Sequence, residues 1–203
     1  MRASVTSLAF WKRRESRLQN KPETWSRERL LAAPLGRTRL IVTPSVAERA
    51  RELPFDRAPD LQHLPDDLDT LIVIGGGTLL DQAKLWRAVE APQTRLVAIP
   101  SIWGSGAEVS PVAVAYECGA KDIHVGDQFI PDIRCIWPEL ADDLPETLAR
   151  HACGDAWAHA LEGFLSPLAD AGTQEDLAEV IREMTELPLA ADYRWYDVSA
   201  RAC

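Results

Sequence analysis

The chain has 203 residues, 46% of them apolar and 26% charged, an ordinary globular make-up with room for one or two domains. Its net charge of −9 divides into +7 over residues 1–39 and −16 over the rest. An acidic body excludes a nucleic-acid groove, and no apolar run is long enough to cross a bilayer. The four cysteines (Cys118, Cys135, Cys153 and Cys203) have no paired spacing. That excludes a disulfide frame or zinc knuckle and fits reduced thiols in a cytoplasmic setting.

Residues 1–34 are polar and basic, end at Ala33-Pro34, and read as a loosely structured lead-in contributing at most one strand. They lack the apolar core of a secretory signal, although the acid-poor opening weakly resembles an organelle transit peptide. Thr38 to Thr43 is the first strand signal. Pro44-Ser45 then predicts a short helix to about Leu53, with Ser45 and Glu48 in capping-box register. The stretch from Leu53 to Leu68, with Pro54, Pro59 and Pro65, reads as connector.

Thr70 to Ile74 is an uninterrupted apolar run ended by Gly75-Gly76-Gly77, which predicts a strand buried on both faces. A helix follows to about Glu90, with Thr78 expected as its N-cap and Asp81 as capping partner. Strand, side-chain-free turn and helix N-terminus together form an anion site suited to a nucleotide pyrophosphate. A tight turn that binds nothing has the same local signature. Arg95 to Ile99 is the next strand, and the glycine-bearing loop Ser101 to Glu108 follows it directly. Two loops after consecutive parallel strands share the carboxyl edge, where open α/β sheets bind ligands. Val112 to Tyr116 and Ile133 to Ile136 are further strands, flanking a polar Gly/Asp segment.

After Trp137-Pro138 the texture turns helical, and a domain boundary is expected near 140, giving an α/β domain over 35–140 and a helical one over 141–203. Asp143-Leu144-Pro145-Glu146 predicts a capped helix through Phe164. Thr173 to Asp176 predicts the cap of a second helix to about Leu187, and Ala190 to Cys203 begins a third. On the first of these helices Asp155 and His159 are four apart, so both project from one face and can reach one divalent cation. An exposed pair lending slight helix support has the same spacing. His151 lies about 80° around that helix from His159, outside an obvious ligand set.

In order along the chain, Gly75-Gly76-Gly77-Thr78 with Asp81, Ala83 and Lys84, then Ile99 to Ala113, Lys121, Trp137-Pro138-Glu139-Leu140, and Gly154-Asp155-Ala156 with His159 and Glu162 resemble the motifs of the iron-containing alcohol dehydrogenase family. The resemblance spans residues 70–166. It implies a Rossmann-like parallel-sheet domain followed by the start of an all-helical domain, a dehydroquinate synthase-like architecture, with NAD or NADP and a divalent metal (Fe2+ or Zn2+) between them. Gly75, Gly76, Gly77 and Thr78 would hold the pyrophosphate, with Asp81 also on the cofactor. Ser101, Ile102 and Ser105 would line the adenine and ribose, and Lys121 the nicotinamide ribose. Asp155 and His159 would be the first two metal ligands. The implied activity is hydride transfer between a small aldehyde and its alcohol, in a homo-oligomer or with a partner chain.

Four departures from the family pattern bear on these expectations. Ser101-Ile102 stands for Thr-Thr and Trp137 for Asp. One βα unit, which would carry the residues choosing NAD over NADP, is shortened or lost before Thr70. The family's two later histidine ligands fall past Cys203, so the chain is expected to be truncated. That leaves open a member that binds nucleotide, or forms half of a two-chain enzyme, without catalysis of its own.

Overall fold

The computed structural model describes residues 21–117 and 119–203. Five parallel strands, β1 (Glu23–Ser26), β2 (Thr38–Val42), β3 (Thr70–Gly75), β4 (Arg95–Pro100) and β7 (Ile133–Ile136), form one sheet in the order β1-β7-β4-β3-β2. Every residue of β3 is buried, as an apolar strand covered on both faces must be. Alternation sorts the side chains. Leu40, Ile72, Ile74, Val97, Ile99 and Ile133 face Leu30, Val46, Ala50 and Leu53. Ile41, Leu71, Val73, Leu96 and Ala98 face Leu80 and Ala83 of helix α2 (Gly77–Glu90).

The carboxyl-edge expectation holds: β3 and β4 pair from Thr70↔Arg95 to Gly75↔Pro100, so their two loops emerge side by side. The α/β fold with a helical layer is also as expected. That layer contains α3 (Glu146–Leu165), α4 (Ala171–Thr185) and α5 (Arg194–Ala202). The α3 face is made of small residues, with Ala149, Ala152, Ala156 and Ala160 all buried. Their i, i+3/i+4 spacing puts one stripe against Val180, Met184, Trp195 and Tyr196.

Several local expectations are corrected. The lead-in contributes the one strand allowed to it, β1, which joins β7 at the sheet edge, but it is not loose there: α1 (Arg27–Ala32) buries Leu30 in the core, while residues 1–20 lie outside the described residues. The helix expected after Ser45 is a single 3-10 turn (Pro44–Val46) followed by mixed turns, halted before Pro54. The connector is not without pairing: it adds one isolated parallel bridge at the sheet edge, where the Leu40 N–H donates to the Asp56 carbonyl (2.9 Å) and the Ala58 N–H to the Leu40 carbonyl (3.0 Å).

Three caps sit elsewhere than the Ser/Thr/Asp spacing suggests. Gly76, not Thr78, caps α2, and its carbonyl accepts from Leu79 and Leu80. Pro145 stands at the N-cap of α3 without a side-chain bond, because Asp143 is drawn into an ion pair with Arg49. Asp170, rather than Thr173, caps α4 by accepting the Thr173 N–H at 2.7 Å. The polar segment after Glu117 is a strand, β6 (Ala120–Val125), hairpinned against β5 (Val112–Glu117).

Candidate active site

The two loops at the carboxyl edge interlock. The Ser101 N–H donates to the Gly75 carbonyl at 2.9 Å, which ties the β4 loop to the end of β3. A Cβ on Gly77 would lie 2.7 Å from Ser105 Oγ, so the hydroxyl packs where a side chain would be. A Cβ on Gly76 would meet only Ile102 Cγ2, at 3.5 Å. Gly76 therefore faces otherwise open space at the N-terminus of α2, where main-chain N–H groups point outward and the helix dipole favours an anion.

A cleft of about 890 Å3 runs from this cradle to α3. Gly77, Thr78, Asp81, Ile102, Ser105 and Lys121 line one side, and Asp155 and His159 the other. Most of the expected site residues thus meet in one cavity. Gly75 and Ser101 are buried behind it, with Gly76 at the cradle. His151, set aside on its helical angle, also lines the cleft, as does Glu162.

Lys121 reaches the cleft because of the hairpin. Register pairs Tyr116 with Lys121 and Val114 with Ile123, and all four side chains line the same cavity. The sequence signal for this apolar wall is the alternation of Val112, Val114 and Tyr116.

His159 is held from behind. Its Nδ1 lies 3.1 Å from the Gly104 carbonyl. A carbonyl only accepts, so this bond needs the proton on Nδ1, and the neutral tautomer that makes it has its lone pair on Nε2, where a metal would bind. Gly104 has φ +109°, and a Cβ there would fall 2.6 Å from the Ala152 carbonyl, so loop and helix α3 touch backbone to backbone. Cys203 Sγ also approaches His159 Nδ1, at 3.4 Å, a neighbour with no sequence signal. Among the described residues no group of three or more His, Cys, Asp or Glu side chains is placed to hold a metal ion. Asp155 and His159 remain two donors, short of the three protein ligands a catalytic metal ordinarily has.

Behind the cleft lies a charged cluster. Lys84 Nζ donates to Asp81 Oδ1 at 3.1 Å and to the Val112 carbonyl at 2.6 Å. Glu108 is buried, and desolvation raises its carboxyl above the usual range against the pull of Arg134 and Lys84. Arg134 lies 3.9 Å from Glu108 and donates to the Tyr196 carbonyl at 2.6 Å, linking sheet to helical layer.

Fold and cleft define a class: a parallel-sheet α/β unit whose carboxyl edge faces a helical layer, the place where such sheets bind ligands. Residues 63–137 match the family described as iron-containing alcohol dehydrogenase. The chain is 26% identical over 154 residues to the bifunctional aldehyde-alcohol dehydrogenase AdhE of Escherichia coli, covering 62% of this chain and 17% of that one. It is 27% identical over 139 residues to the NADPH-dependent butanol dehydrogenase of Clostridium saccharobutylicum, covering 58% and 36%. An iron-containing alcohol dehydrogenase from Thermococcus thioreducens superimposes with a TM-score of 0.74 at 20% identity, over 90% of this chain and 64% of that one. Over these residues the chain is similar to iron-containing alcohol dehydrogenases, and its fold is theirs. It spans well under half the length of these two curated relatives. No helix among the described residues is long and apolar enough to cross a membrane.

Proposed function

We propose that this chain binds NAD or NADP in the cleft and is the cofactor-binding part of an oxidoreductase that interconverts a small aldehyde and its alcohol. The observation that carries the reading is the Gly76 cradle, open where a phosphate would approach and continuous with the cavity lined by Asp81, Ser105 and Lys121. A nicotinamide bound there supplies the hydride acceptor or donor. The protein's own part is to orient it: main-chain N–H groups at the start of α2 hold the pyrophosphate, and Asp81 and Lys121 flank the rest. Ser101, Ile102 and Ser105 form the wall on the β4 side. Asp155 and His159 are read as two ligands of a divalent metal whose remaining ligands come from a further helical region or a partner chain.

A second reading has its own support. The metal donors stop at two among the described residues, which favours nucleotide binding without turnover by this chain alone. One experiment separates the readings: titrate NADH and NADPH by fluorescence with and without Zn2+ or Fe2+, then assay a panel of aldehydes. Turnover supports the first reading and binding without turnover the second. Absence of binding under every condition refutes both.

A further inference from the structure

Lys84 is fully buried, a rare setting for an ammonium, on a helix whose neighbouring core positions are Leu80 and Ala83. Burial pulls it below the ordinary lysine range, with Asp81 and Glu108 opposing that pull. An apolar side chain of similar length would fill the space without this desolvation cost, so stability alone does not account for a lysine here. Its contacts point to a different role. One donor goes to Asp81 Oδ1, on the cradle helix, and another to the Val112 carbonyl, at the root of the hairpin. Asp81 and Lys121 both line the cleft, one from each of these two elements. Asp81 Oδ2 has no hydrogen-bond partner among the described residues, which leaves it to accept from an amide or hydroxyl of a bound nucleotide.

We propose that Lys84 is a positioning residue, whose single ammonium fixes the Asp81 carboxylate in the cleft and fastens the root of the β5–β6 hairpin carrying Lys121. It acts through Asp81 and the hairpin and does not itself touch the cofactor. The inference rests on the reading that the cleft binds NAD or NADP.

The test is a double-mutant cycle on NADH and NADPH affinity, with thermal melting as the check on folding. Lys84→Met weakens binding about tenfold, the scale of one hydrogen bond to a charged group. Asp81→Asn weakens it by a similar factor, and the double variant is weaker than Asp81→Asn alone by clearly less than the full Lys84→Met factor, because part of the Lys84 effect passes through Asp81 and only the hairpin's share remains. A merely structural lysine gives factors that multiply. If Lys84→Met does not fold, Lys84→Gln keeps a donor for Val112, removes the charge from Asp81 and carries the same expectation. Multiplying factors, or a Lys84 variant within twofold of the original protein, overturn the positioning role while leaving the cofactor reading in place. An original protein that binds neither nucleotide overturns both.

Discussion

Replacing Gly76 with valine separates the cradle from the fold around it. Gly76 has φ −80° and ψ 179°, a backbone any residue adopts, and its Cβ would make an ordinary 3.5 Å contact with Ile102 Cγ2. The fold therefore loses only the preference for glycine over an apolar residue at an N-cap, about 0.5–1 kcal/mol, or a few degrees in Tm. The isopropyl group enters the space in front of the α2 N-terminus, where the pyrophosphate would accept charge-assisted bonds worth about 1.5–3 kcal/mol each. Displacing two of them weakens binding by more than about 100-fold. Fluorescence titration with NADH and NADPH reads the affinity, and circular dichroism reads the melt. A Kd within threefold of the unmodified protein refutes the cradle; a fall in Tm of more than about 10 °C refutes the claim that Gly76 faces open space.

Three other outcomes are expected. Gly104→Ala forces an L-residue into positive φ and drives a methyl to within 2.6 Å of the Ala152 carbonyl, so thermal melting should reveal a loss of about 2–4 kcal/mol, and an unchanged Tm contradicts the backbone contact. His159→Ala removes the bond to Gly104, costing about 1 kcal/mol, and should abolish Zn2+ retention in equilibrium dialysis; unchanged metal content retires the assignment. Asp170→Ala removes the α4 cap and lowers Tm at neutral pH. The Thr173 N–H holds the Asp170 carboxyl below its ordinary value of 3.8, so its stabilisation is present above that pH and fades as pH falls through the lowered value. The difference in Tm between the two proteins should close only below about pH 4, and a gap independent of pH contradicts the cap.

What could be read from the sequence was what local signals agree on. In β3 and its glycine turn, a β-branched run, glycines and a helix former all say the same thing, and the strand, turn and helix are present. The face of α3 was legible because a helix period fixes Asp155 and His159 together, and both line the cleft. Caps were misread where spacing alone had to choose. Asp143 satisfies a capping box but meets Arg49, 94 residues away in the chain, a competitor no local pattern records. The β6 strand escaped notice because Ala120, Lys121 and Asp122 are exposed and show no strand-like apolar alternation, and their extension comes from pairing with β5. Lys84 shows both sides. Its place beside Asp81 on one helix was readable, but its bond to Val112 joins elements that only the fold brings together.

The hydrogen bond between His159 and the Gly104 carbonyl spans 55 positions of sequence and joins helix α3 to the glycine-bearing loop that follows β4. Sites connected this way exchange free energy. On the proposed function, a cation that fixed the imidazole would also stiffen the loop beside the bound nucleotide, and a nucleotide that ordered the loop would prepare the imidazole. Linkage would make that exchange equal in both directions: whatever factor zinc added to nucleotide affinity, the nucleotide would return to zinc.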